Sequence, residues 1–257
     1  MNLFTQHYGT GDRSLVLLHG WGLNSQVWDF ILAPLGAHFA ITVVDLPGYG
    51  QSQPYDALSL KEMAKVIADH IPSQSIVLGW SLGGLVATQL ALDAKEKVKQ
   101  LILVASSPCF SETEQWPGIK PQVLENFKTQ LATDFRRTID RFIALQSLGT
   151  VNASLNTKRL KQAIVDQPQA PLAVLNQGLS ILKECDLRDS LPHLDIPTLR
   201  IYGALDSLVP RKSILLTDRL WRNSHAVVIE HAAHAPFISH PEAFCSAILT
   251  FTDANRD

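Results

Sequence analysis

The segment Gly79-Trp80-Ser81-Leu82-Gly83 has the pattern G-x-S-x-G and lies between the apolar run Ser75-Ile76-Val77-Leu78 and the helix-forming Leu85-Val86-Ala87-Thr88-Gln89-Leu90. In that strand-turn-helix setting the glycines leave room for a sharp turn, and a serine in a strained backbone conformation projects its hydroxyl as a nucleophile. A serine hydroxyl is a poor nucleophile at neutral pH. It needs a histidine to take its proton and a carboxylate to fix the tautomer of that histidine. Behind a G-x-S-x-G serine these partners follow in the order acid, then histidine. Asp206 stands in Gly203-Ala204-Leu205-Asp206, just after the β-rich run 198–202. His234 stands in His231-Ala232-Ala233-His234-Ala235-Pro236, after the run 226–230. Both fall at the carboxyl ends of strands, the edge where open α/β sheets gather their ligands.

The choice among the alternatives rests on position. His7, His38, His70, His193 and His225 read as solvated turn or surface residues, His231 follows its strand too closely to reach back to Ser81, and His240 precedes Pro241 at a helix start. Asp186 and Asp195 come before the 198–202 strand rather than after it. Acyl transfer through a tetrahedral intermediate also needs two N–H groups aimed at the developing oxyanion. Leu82, directly after the nucleophile, offers one. Trp21, in the loop His19-Gly20-Trp21-Gly22 after the first apolar run, offers the other and leaves its ring free to line an acyl pocket. His19 reads as structural, bonding to nearby loop backbone. No histidine pair at helical spacing flanks a glutamate, so no metal is expected, and the chemistry asks for no cofactor.

These residues need a sheet to hold them. Continuous Val/Ile/Leu runs at 14–19, 41–45, 75–80, 100–105, 198–202 and 226–230 read as strands covered on both faces. Helical stretches at 59–70, 83–93, 211–220 and 241–251 alternate with them, which makes the class α/β with a mostly parallel sheet. The alternation stops after Ser107 and resumes near Asp195. The intervening stretch has helical periodicity and reads as a cap insertion, about 108–190, on a single domain spanning 1–257. Between Lys120 and Lys161 it carries eight lysines and arginines against three carboxylates, although the whole chain has a net charge of -2. On a helix spanning about 134–147, Phe135, Ile139 and Phe142 share one face, while Arg137 and Arg141 share the opposite one.

The 257 residues, 46% hydrophobic and 18% charged, suit a globular chain that buries its own core. Cys109, Cys185 and Cys245 are too few and too scattered for a disulfide framework and read as reduced thiols. The near-neutral charge argues against nucleic acid as a partner. No secretory leader is apparent and no apolar run approaches the roughly 20 residues that cross a bilayer, so the expectation is a cytoplasmic protein without membrane attachment.

Taken together, His19 to Gly22, Asp45-Leu46-Pro47-Gly48-Tyr49-Gly50-Gln51-Ser52, Gly79 to Gly84, Tyr202 to Asp206 with Val209-Pro210, and His234 with His240-Pro241 resemble the α/β-hydrolase superfamily over essentially the whole chain. Dehalogenase and epoxide-hydrolase members use a carboxylate nucleophile, which Ser81 excludes. Leu17 to Asn24, Ser106-Ser107-Pro108-Cys109-Phe110-Ser111, Trp116 to Pro121 and His234 to Pro241 are similar, more narrowly, to the pimeloyl-[acyl-carrier protein] methyl ester esterase family of biotin synthesis. That resemblance implies a monomeric serine carboxylesterase whose partner is an acyl carrier protein bearing a pimeloyl methyl ester. It implies further that Phe142 and Gln146 line the substrate channel, and that Arg137, Arg141, Lys158 and Arg159 meet the acidic carrier. Ser154 and Asn156 stand where more arginine would strengthen that contact, and lysine lacks the bidentate fork of arginine. A general short-chain carboxylesterase, and a non-catalytic binding protein on the same fold, are the alternatives.

Overall fold

A computed structural model describes residues 2–53, 55–150, 152–165 and 167–256, without the side chains of 135 and 163–165. The place expected for the Phe135 ring therefore lies outside the described residues. Seven strands form one sheet: β1 (Thr5–Tyr8), β2 (Arg13–Leu18), β3 (Phe39–Val44), β4 (Ser75–Trp80), β5 (Val98–Val104), β6 (Thr198–Gly203) and β7 (Ser224–Ile229). Their order is β1-β3-β2-β4-β5-β6-β7, and every pairing is parallel except β1 with β3. All six residues of β4 and of β6 are buried, as continuous apolar strands between two helical layers should be.

Helices α1 (Asp29–Gly36), α2 (Leu60–His70) and α3 (Leu82–Asp93) connect the first strands. Four more, α4 (Pro121–Thr133), α5 (Phe135–Leu145), α6 (Ala153–Val165) and α7 (Leu172–Glu184), lie between β5 and β6, and α8 (Arg211–Leu220), α9 (Pro236–Ser239) and α10 (Pro241–Ala254) complete the chain. Local chemistry sets several of these boundaries. Ser59 and Glu62 close a capping box at the start of α2, and Pro121 and Pro241 open α4 and α10, where a missing N–H costs nothing.

The inserted helices leave and rejoin the sheet together. Cys109 and Asp186 form an isolated antiparallel bridge, and the Leu187 N–H donates to the Pro108 carbonyl at 2.9 Å. At the same carboxyl-end edge of the sheet, Phe237 packs on Trp28 (4.6 Å between ring centroids), Trp80 (4.9 Å) and Phe244 (5.9 Å). This aromatic cluster anchors α9 and so fixes the segment just after His234. Sequence patterning does not reveal β1: Thr5-Gln6-His7-Tyr8 is a short polar edge strand, and only its pairing with β3 makes it one.

Candidate active site

Ser81 sits between β4 and α3 at φ 55°, ψ −116°, a left-handed conformation that a non-glycine residue holds only under strain. The turn is sharp enough that a Cβ on Gly79 would run into the Gly83 carbonyl, and a Cβ on Gly83 into the carbonyls of Leu18 and His19. Glycine is required at both places by close backbone approach. The Ser81 N–H donates to the Val104 carbonyl at 2.9 Å, and its own carbonyl accepts from Ser106 Oγ at 3.0 Å, so the end of the neighbouring strand β5 grips the turn from both sides of the peptide.

His234 and Asp206 are brought together from separate loops. Nδ1 of His234 lies 2.8 Å from Oδ2 of Asp206, and the second carboxylate oxygen accepts from the N–H groups of Leu208 (2.8 Å) and Val209 (3.0 Å). A carboxylate only accepts, so Nδ1 carries the proton and Nε2 presents a lone pair. Nε2 is buried and has no hydrogen-bonding partner among the described residues. The backbone of His234 is held twice more: Trp80 Nε1 donates to its carbonyl (2.8 Å), and its N–H donates to the carbonyl of Gln146 (3.1 Å).

The loop with Trp21 abuts the serine, since a Cβ on Gly20 would stand 3.4 Å from Cβ of Ser81. Leu82 begins α3, where the first N–H groups of a helix lack intrahelical partners and carry the positive end of its dipole. His19 is committed elsewhere: Nε2 accepts from the Leu46 N–H (3.0 Å), so Nδ1 donates to the Gly20 carbonyl (2.8 Å). Burial holds its pKa below the ordinary value against the opposing pull of Asp45. That carboxylate organises the next loop, accepting from the N–H groups of Ser25 (2.7 Å) and Gln51 (2.8 Å).

The inserted helices cover this centre. The Trp21 indole N–H donates to the Leu175 carbonyl of α7 at 2.9 Å, and the Trp21 ring meets Phe142 of α5 edge-on at 4.6 Å between centroids. Gln146 is buried, but its amide turns back to the Phe142 carbonyl (3.1 Å), and it is the main-chain carbonyl of Gln146 that touches the His234 loop. Sequence spacing does not announce that contact, nor those of Leu175, Leu208 and Val209. Arg137 and Arg141 are exposed on the outer face of α5, beside a cleft of about 660 Å³ that also borders Gln130, Asp134 and Asp140. Lys158 is exposed on α6, whereas Arg159 is half-buried, its guanidinium over the Phe30 ring (5.5 Å) and 3.5 Å from the Ile238 carbonyl.

Only 4% of Ser81 and 1% of His234 are exposed, and a small cavity next to the Trp21 loop, bordered by Gly22, Leu23, Asn24, Gly50, Ile139 and Leu175, holds about 30 Å³. A larger groove of about 770 Å³, between α10 and the starts of β6 and β7, lies away from the serine and has none of its chemistry. The cysteines offer no rival nucleophile. Burial keeps all three thiols protonated, with Cys185 pushed up to about 12 and Cys245 to about 11.

The sequence profile of the alpha/beta hydrolase fold matches residues 13–241. The chain belongs to that family. This hydrolase is 56% identical over 252 residues to the pimeloyl-[acyl-carrier protein] methyl ester esterase of Pectobacterium carotovorum subsp. carotovorum, covering 98% of this chain and 99% of that one. It is 53% identical over 249 residues to the enzyme of the same name from Salmonella agona, covering 97% of each. Among solved structures it resembles an esterase from Exiguobacterium antarcticum with a TM-score of 0.86 at 23% identity, over 98% of this chain and 95% of that one. At that identity the likeness speaks for the fold of this hydrolase, and the two full-length relatives speak for its narrower kinship. No helix among the described residues is long and apolar enough to cross a membrane.

Proposed function

We propose that this hydrolase removes the methyl group from a pimeloyl methyl ester carried on acyl carrier protein, a step in biotin synthesis, and that Ser81, His234 and Asp206 perform the reaction. The substrate follows from the activity named for relatives 53–56% identical along the whole chain. The observation that carries the chemistry is a buried His234 whose Nδ1–H is fixed on Asp206 while Nε2 stays free to accept a proton.

Nε2 of His234 takes the proton of Ser81 Oγ as that oxygen attacks the ester carbonyl. The oxyanion is received by the N–H groups of Trp21 and Leu82, and its collapse expels the methoxy group, which leaves as methanol with the proton from His234. Water, deprotonated by His234, then cleaves the acyl-enzyme. Ser81 recovers its proton, and the freed carboxylate stays joined through its far end to the carrier. No step calls for a cofactor or metal.

The four inserted helices act as a cap on one hydrolase domain. Phe142 and Trp21 form an apolar roof over the serine, and Gln146 closes the channel beside His234. With Ser81 and His234 this deeply buried, the cap parts to admit the acyl chain. Outside, Arg137 and Arg141, with Lys158 and at its margin Arg159, offer positive charge to an acidic carrier and orient its tethered chain. The residues of the proposed site all come from one chain, so the chemistry needs no second copy.

The test compares demethylation of the carrier-bound methyl ester with that of a small free methyl ester, by the wild type and by Arg137→Glu/Arg141→Glu. The expected result is a preference for the carrier substrate, reduced tenfold or more in kcat/KM by charge reversal, with the free ester unaffected. Equal rates on both substrates and indifference to charge reversal would leave a general short-chain esterase instead.

A further inference from the structure

Gly178 is out of place by helix chemistry. Glycine destabilises a helix interior relative to alanine, yet it stands in the middle of α7, buried with Val174, Leu175, Leu179 and Leu182. The reason lies across the interface. A Cβ on Gly178 would stand 2.5 Å from Cδ1 of Trp21, 2.5 Å from Oη of Tyr49 and 3.0 Å from Nε1 of Trp21. Nearly one turn earlier the Leu175 carbonyl accepts the Trp21 indole N–H, and a further residue back Val174 fills the space beside Gly48, whose Cβ would come within 2.7 Å of it. Helix α7 therefore rests directly on the loops carrying Trp21 and Tyr49, with no side chain between at Gly178. From the other side, Gly20 packs the Trp21 loop against Trp80 and Ser81.

We infer that Gly178 is a positioning residue for the oxyanion site: its bare backbone lets α7 hold the indole of Trp21, and through it the Trp21 N–H, where negative charge develops on the substrate. The inference rests on the roles of Ser81 and Trp21 proposed above. It makes the cap part of the catalytic geometry, because the main-chain donor and the indole anchored on α7 belong to one residue. Oxyanion donors act over a narrow range, about 2.7–3.1 Å, so a shift of a few tenths of an ångström is enough to be felt.

The test is Gly178→Ala, beside Gly178→Ala/Tyr49→Phe, which removes one of the two obstructing groups. On a small free methyl ester, kcat is expected to fall about 10- to 100-fold while KM stays within about threefold, a part of the roughly 10²–10³ lost when a whole oxyanion donor is removed. Affinity for a trifluoromethyl ketone, which forms the oxyanion adduct, falls by a similar factor. Affinity for the free acid product and the melting temperature hold, and the double variant recovers part of the loss. Unchanged kcat and ketone affinity would overturn the inference. So would a uniform loss of ketone affinity, product affinity and melting temperature, which a purely structural glycine would give. A wild type that binds neither the ketone nor a fluorophosphonate would overturn the Ser81 reading and this inference with it. Should Gly178→Ala not fold, Trp21→Phe, which keeps the main-chain N–H and loses the bond to Leu175, reads the same coupling. Its kcat and ketone affinity must then fall together, and retention of both would refute the inference.

Discussion

Asp206→Asn isolates the interaction that decides which nitrogen of His234 carries the proton. In the native site one carboxylate oxygen accepts two backbone N–H groups, from Leu208 at 2.8 Å and Val209 at 3.0 Å, and the other accepts Nδ1–H at 2.8 Å. Only an oxygen can satisfy the two backbone donors, so the asparagine carbonyl takes that place and its NH₂ turns toward His234. The flipped amide would leave both backbone donors facing NH₂, at about 1–3 kcal/mol for each unsatisfied group. With a donor opposite Nδ1, the imidazole moves its proton to Nε2 and loses the lone pair that should accept from Ser81. The expected loss in kcat is about 10⁴, or about 5.4 kcal/mol of activation free energy. The assay is kcat on a small methyl ester, with enzyme free of wild-type contamination below one part in about 10⁵, beside a thermal melt. The fold survives, because the two backbone bonds persist. A folded variant within tenfold of wild-type kcat would refute the reasoning and remove Asp206 as the group that orients His234.

Ser81→Ala is expected to lower kcat by about 10⁶ and abolish fluorophosphonate labelling while leaving the melting temperature close to wild type; wild-type turnover would exclude Ser81 as nucleophile. Gly83→Ala puts a methyl group against the carbonyls of Leu18 and His19, backbone that cannot swing aside, so urea unfolding should show a loss of about 1–3 kcal/mol together with lost activity. Unchanged stability would show that the turn at Ser81 can open. His19 is buried and neutral with a lowered pKa, so below about pH 6.5 the unfolded chain binds a proton that the folded chain refuses. Stability contributed by His19 is therefore complete above that pH and declines as pH falls toward its depressed folded value, by at most about 1.4 kcal/mol per pH unit. Urea unfolding of His19→Gln between pH 5 and 7.5 should show a shallower acid-side slope than the wild type; an identical slope would place the titration elsewhere.

The parts of the site that are legible in sequence share one property: each is spelled by a few consecutive residues at a strand end. Ser81 needs only its flanking glycines and the runs on either side, and Asp206 and His234 need only the strands just before them. The covered sheet is legible for the same reason, since β4 and β6 are apolar throughout. Helical spacing likewise places Arg137 and Arg141 outward and Ile139 and Phe142 inward, as the structure has them. What spacing misses is set by contacts across the chain. Arg159 looks like a surface cation until Phe30 and the Ile238 carbonyl draw it in, and nothing in the spacing shows that the Gln146 carbonyl holds the His234 backbone.

Trp21 shows where the boundary falls. Local pattern alone proposes it as a donor beside Ser81 and its ring as a wall of an acyl pocket. Its third attachment, to Leu175 and the notch at Gly178, depends on a helix far along the chain folding back over it. The sequence does carry a mark of that contact, a glycine inside an apolar helix where alanine would serve the helix better. That mark has no meaning until the partner is known, because the same glycine could equally precede a bend or a cap. The residues proposed for acyl transfer are thus encoded locally, whereas the distances between them, on which the rate of such a reaction depends, are set by which helices close over the sheet and how near they come.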